Sequence, residues 1–74
     1  MKQYYKFEYV IDCEEKQCDE MIYSFKSYSM FDASVKALVV ALGYIDELES
    51  YYGRVLMVNI YDSKGFRKYS VKLN

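Results

Sequence analysis

The chain reads as an α+β two-layer sandwich in the order ββαββ, a four-stranded antiparallel sheet with one helix packed on one face. Three observations predict it. Residues 5–11 repeat with a period of two, the period lengthens to that of a helix between residues 29 and 53, and a compact turn, "DSKG", separates two short alternating runs near the end.

In the first run Tyr5, Phe7, Tyr9 and Ile11 point one way and Lys6, Glu8, Val10 and Asp12 the other, the pattern of a half-buried strand. Beyond a polar stretch ending at Glu20, Met21, Tyr23 and Phe25 share a face opposite Ile22, Ser24 and Lys26. The two runs predict an antiparallel hairpin. For their apolar faces to coincide, paired residue numbers must have an even sum, as in Ile11 with Met21. Cys13 and Cys18, in the connecting "CEEKQC", have an odd sum, so a disulfide between them needs a bulge or an early end to the ladder. Two thiols without His also make a poor zinc site within one chain. The stretch is read as a solvated acidic turn.

"SMFDASVKALVVALGYIDELESYYG" reads as one helix, with Ser29 as N-cap, Asp32 in the favourable first turn and Gly53 as the terminating residue. Phe31, Val35, Leu38, Leu42, Ile45 and Tyr52 form its expected core stripe, flanked by Ser34, Ala41 and Leu48. Val39, Val40, Tyr44 and Tyr51 fall outside that stripe, so the apolar surface is wider than one sheet needs. Gly43 costs about 1 kcal/mol relative to Ala inside a helix; it reads as a kink, a point of close backbone approach or a tolerated exposed residue.

Residues 55–61 and 66–73 predict two further strands joined by "DSKG", where Asp opens a type I turn and Gly accepts positive φ. Pairing Tyr61 with Phe66 sets Ile60 opposite Arg67, Val58 opposite Tyr69 and Leu56 opposite Val71. The core face is then Leu56, Val58, Ile60, Tyr69, Val71 and Leu73. The opposite face carries Tyr4, Lys6, Val10, Ile22, Lys26, Tyr28, Val55, Met57, Asn59, Tyr61, Phe66, Lys68 and Lys72. Contiguous apolar surface of this kind marks interaction sites.

Seventy-four residues, 53% of them hydrophobic and 19% aromatic, make one globular domain, 1–74, near the lower size limit for a self-sufficient core. The helix arc and the outer sheet face cannot both be covered within one such monomer, which predicts a homo-oligomer, a dimer in the simplest case, or a protein partner. Charge is uneven: residues 1–50 hold ten acids against five Lys, and residues 51–74 hold five Lys/Arg against Asp62 alone. Such a chain is suited to head-to-tail association or to charged partners.

Catalysis finds little support. The chain has no His, which removes Ser-His and Cys-His arrangements and the commonest general base, and Gly43, Gly53 and Gly65 build no phosphate loop or nucleophile elbow. No catalytic, metal or cofactor residue is assigned. The acidic group of Asp12, Glu14, Glu15, Asp19 and Glu20 lacks the glycine and spacing of a calcium loop. Ten Tyr in 74 residues favour protein contact, because Tyr offers large, rigid, amphipathic area. The expected partner-binding residues are Tyr28, Met57, Tyr61 and Phe66 on the sheet, with Glu14, Glu15, Asp19 and Glu20 on the hairpin.

An alternative site for a nucleotide or single-stranded nucleic acid comprises Arg54, Arg67 and Lys68 beside Tyr side chains. No aromatic RNA-binding motif accompanies it, and the net charge of -1 opposes tight nucleic-acid binding.

In its small size, its Tyr and Lys content, the acidic "DCEEKQCDE" and the lack of a catalytic motif, the chain resembles the small accessory proteins of phages and other mobile elements, including inhibitors of bacterial defence systems. That resemblance implies a non-enzymatic inhibitor or regulator of a larger host protein complex, in the cytoplasm of an infected bacterial cell. It carries no residue assignments. "MKQYYKFEYV" lacks the apolar core of a signal peptide, and no stretch approaches the ~20 apolar residues of a membrane span.

Overall fold

A computed structural model describes residues 3–12 and 21–73, with residues 21–30 described in the backbone alone. Strand β1 spans Gln3–Asp12 and β2 Met21–Phe31; helices α1, Ser34–Gly43, and α2, Ile45–Tyr51, follow, and β3, Arg54–Tyr61, and β4, Arg67–Lys72, complete the chain. The strands form one antiparallel sheet in the order β2-β1-β3-β4.

This corrects the expected ββαββ fold with its single helix. The element order is ββααββ, because the helical segment breaks at Tyr44, whose φ of -88° and ψ of -6° lie outside a regular helix. A buried contact accompanies the break. The Tyr9 hydroxyl donates to the Ala41 carbonyl at 2.5 Å, and the Tyr44 N–H closes a short turn onto that same oxygen at 3.3 Å. The next turn restarts from Tyr44, whose carbonyl accepts the Leu48 N–H. Gly43 ends α1 at an exposed position where an added Cβ meets nothing within 4 Å, so close packing is not what requires it.

The start of the helix is corrected as well. Ser29 does not cap it but lies within β2, and α1 begins after an extended Ala33 that supplies no side-chain cap. The residues before it are rich in aromatic and serine side chains, and the ladder extends through them, pairing Tyr4 with Met30 and Gln3 with Phe31. Asp32 instead forms an ion pair with Lys36, 2.9 Å away. Gly53 does follow the last helical residues, and its role is twofold. Its φ is +145°, and a Cβ there would stand 2.3 Å from the Asp12 carbonyl oxygen, so the crossing of chain onto β1 needs a residue without a side chain.

Two irregularities in the ladders redirect the expected core. Val10 pairs with Met57 but Ile11 pairs with Val55, leaving Leu56 as an extra residue in β3. The bulge reverses parity beyond it. Val55, expected on the outer face, is therefore fully buried with Val58 and Ile60, and Leu56 is only half-buried. In the last hairpin Ile60 pairs with Tyr69 and Tyr61 with Arg67, leaving Lys68 as the extra residue, so the register of Ile60 with Arg67 and Val58 with Tyr69 is replaced by Ile60 with Tyr69 and Val58 with Val71.

The core lies between sheet and helices. Tyr5, Phe7, Tyr9 and Ile11 from β1 and Val55, Val58 and Ile60 from β3 meet Ala37, Ala41 and Leu48. Phe31, Leu38, Leu42, Ile45 and Tyr69 pack around them half-buried. The helical layer is thus rotated from the expected stripe: Val35 is 50% exposed and Tyr52 40%, while Ala37, absent from that stripe, is fully buried. Bulky side chains on the sheet fill the interlayer space, and alanines let the helix approach them.

Candidate interaction surfaces

Among the described residues, four surfaces lie outside this core: the outer sheet face, each of the two ends of the sheet, and the outer side of the helices. On the outer sheet face the residues of β1, β3 and β4 align in rows. Glu8, Asn59 and Ser70 form one row, in which the Glu8 and Asn59 side chains are joined. Glu8 Oε1 accepts from Asn59 Nδ2 at 2.9 Å and from the Tyr61 hydroxyl at 3.0 Å. The carboxylate fixes which way the Asn59 amide points, because a flipped amide would set two oxygens against each other. Asn59, expected as an exposed residue, is only 4% exposed, and its Oδ1 has no hydrogen-bond partner among the described residues. The Tyr61 phenol has its pKa raised, first by burial and then by the Glu8 hydrogen bond and charge, against the opposing charge of Arg67. Ser70 Oγ reaches across to Met57 Sδ of the next row at 3.6 Å. This face is therefore partly tied up in its own polar contacts.

The expected site residues separate on the structure. Met57 and Tyr61 are half-buried on the sheet, whereas Phe66 lies beyond the strand in the β3–β4 turn and is 66% exposed. Tyr28 stands in β2, where only the backbone is described. Glu14, Glu15, Asp19 and Glu20 lie outside the described residues, as do Cys13 and Cys18. The cations of the alternative site are also divided. Arg54 begins β3 and holds Asp12 at 3.3 Å, while Arg67 and Lys68 lie beside its other end, about 25 Å away at ~3.3 Å per strand residue.

The β3–β4 turn is rigidly built. Asp62 Oδ1 accepts the backbone N–H groups of Lys64 and Phe66, both at 2.9 Å, the Asp62 N–H donates to the Phe66 carbonyl, and Gly65 adopts a φ of +89°. These N–H bonds, with Lys68 at 3.7 Å from Oδ2 and Lys64 nearby, hold the Asp62 carboxyl below the ordinary aspartate range despite its burial. Phe66 is consequently held outward beside Lys64, Arg67 and Lys68. The turn's one carboxylate is already engaged.

At the opposite end of the sheet, Asp12, Glu49, Ser50, Tyr51, Tyr52, Gly53 and Arg54 line a cleft of about 300 Å³. Glu49 accepts the Val55 N–H at 3.0 Å, which joins α2 to β3, and the Tyr51 and Tyr52 rings lie 6.4 Å apart.

The outer side of α1 is the surface that sequence reasoning placed only as surplus. With Ala37 and Ala41 turned to the sheet, helical geometry directs Val39 straight away from it. Val39 is 64% exposed, Val35 50% and Val40 37%. The clue in the sequence was the all-round apolarity of "VKALVVALGY".

Among the described residues no group of His, Cys, Asp and Glu is placed to hold a metal ion, and no helix is long and apolar enough to cross a membrane. No family model matches the chain, and neither curated proteins nor solved structures give a match to it.

Proposed function

We propose that this chain is a non-catalytic protein-binding module, an inhibitor or regulator of a larger protein complex, and that the outer side of α1 is its principal contact surface. One observation carries the reading: Val35, Val39 and Val40 stand in water on a helix whose small residues are turned inward. β-branched residues are weaker helix formers than Ala or Leu, and apolar area in water has no compensating contact. A surface helix gains from neither. The stripe Val35–Val39–Gly43 repeats every four residues, and the open space over Gly43 lets a partner's backbone come close. The outer sheet face, with its Glu8–Asn59–Tyr61 network, is a secondary contact in this reading.

A second reading, an oligomeric binder of a nucleotide or single-stranded nucleic acid, rests on Tyr61, Arg67 and Lys68 lying together at one end of the sheet. It loses Arg54, which belongs to the other end. The test of the first reading is affinity capture from the native host with the wild-type chain, Val39→Lys and a Met57→Ser/Tyr61→Ser double variant. A partner lost with Val39→Lys alone supports it. A partner lost only with the sheet variant, or stabilisation by nucleotides at low salt, replaces it.

A further inference from the structure

The two ends of the sheet are complementary to each other, and neither is used in the α1 reading. One end is the β3–β4 turn, which holds Phe66 outward at 66% exposure with Lys64 and Arg67 beside it; neither cation has an ion pair among the described residues. The other end is the cleft of about 300 Å³ walled by Tyr51 and Tyr52 and carrying the carboxylates of Asp12 and Glu49 against the single cation Arg54. Because β3 runs from Arg54 to Tyr61, the cleft and the turn lie at its opposite ends, about 25 Å apart. They cannot meet within one molecule.

We infer that the Phe66 turn of one copy docks in the Tyr51–Tyr52 cleft of a second copy, so that the chain self-associates head to tail. The aromatic ring supplies the anchor and the charges supply the orientation. An exposed aromatic on a rigid turn loses little conformational freedom on docking, as interface anchors generally require. Lys64 and Arg67 would then approach the Asp12 and Glu49 side of the cleft, bringing net positive to net negative. The contact is heterologous, since the two patches differ, so each docked copy leaves one turn and one cleft open and the assembly lengthens with concentration instead of closing at two chains. A single turn in a single cleft buries less than a standard interface, which sets the affinity in the weak range.

The experiment is sedimentation of the full chain over a concentration series, with Phe66→Ser and Tyr51→Lys as separate variants and as an equimolar mixture. Both positions are exposed, and circular dichroism verifies that each variant keeps the fold. The wild-type chain is expected to grow beyond a dimer toward about 1 mM at low salt, and to weaken about tenfold between roughly 0.05 and 0.5 M salt. Each variant alone stays monomeric. The mixture forms a one-to-one pair that stops at two chains, because the intact turn of the Tyr51→Lys chain enters the intact cleft of the Phe66→Ser chain. A wild-type monomer at about 1 mM, a dimer that survives both variants, or a mixture that stays monomeric overturns the inference. None of these outcomes bears on the α1 surface, which Val39→Lys tests separately.

Discussion

The inner and outer sides of α1 reverse the usual arrangement of a surface helix. Its inner side presents Ala37 and Ala41, both fully buried, while its outer side presents Val35, Val39 and Val40 to solvent. Size is inverted across the helix. The reason lies in the sheet, where Tyr5, Phe7, Tyr9, Ile11, Val55, Val58 and Ile60 already fill the space between the layers. A helix can approach such a surface only with small side chains, and the Tyr9 hydroxyl reaching the Ala41 carbonyl measures how close it comes. The difference teaches that the inner side is chosen for fit, and that its fit leaves the larger apolar residues facing outward.

That contrast can be broken first from the sheet. Phe7→Ala removes a ring that is 1% exposed at the centre of β1, and a loss of about 3 to 5 kcal/mol is expected in denaturant unfolding. Ala41→Leu attacks from the helix side. It forces a larger group into filled space and displaces the Tyr9 contact, with an expected cost of about 1 to 3 kcal/mol, whereas the same change on an ordinary amphipathic helix would be tolerated. If Ala41→Leu is neutral or stabilising, the inner side is not closely fitted.

Tyr9→Phe isolates the hydrogen bond, with an expected loss of about 1 kcal/mol. It also has a pH signature. Burial, with a smaller contribution from the neighbouring Tyr44, raises the Tyr9 pKa above the ordinary 10.0, so the neutral phenol belongs to the folded state. The stability it contributes is complete below pH 10 and declines as the pH rises beyond that, because the unfolded chain ionises first. Wild-type protein should therefore lose stability above pH 10 more steeply than Tyr9→Phe in alkaline unfolding curves. Equal slopes would mean that Tyr9 is not the sensitive group.

Val39→Lys sharpens the outer side. Its effect on the melting temperature should be the smallest, within about 0.5 kcal/mol or slightly stabilising, since an exposed β-branched residue is replaced by a better helix former. A large loss of stability would place Val39 in a contact within the monomer.

The strand residues of β1 were legible because alternation over 5–11 is long enough to fix which side is buried, and Tyr5, Phe7, Tyr9 and Ile11 are indeed the buried set. The turn at residues 62–65 was legible because Asp and Gly each have one favourable place in it. The bulges were not. An extra residue at Leu56 or Lys68 costs nothing in composition, and it moved Val55 from the outer face to the core. The candidate surfaces followed the same rule: Phe66 was identifiable as exposed, while its separation from Arg54 depended on strand direction. The outer side of α1 escaped because "SVKALVVALG" is apolar around most of its circumference, and a helix with no strong preferred side takes its orientation from whatever it packs against.

By itself the sequence determined part of the local geometry: the alternation of β1, the turn at residues 62–65 and the glycine that follows the helical segment, though not that β2 runs on through Phe31. Tertiary structure decided the rest: the break at Tyr44, the bulge at Leu56 and which side of the helix meets the core. Local preferences act over a few residues and are written in the order of side chains, whereas orientation and register follow from filling one interlayer space with the particular volumes that the sheet and helices bring to it.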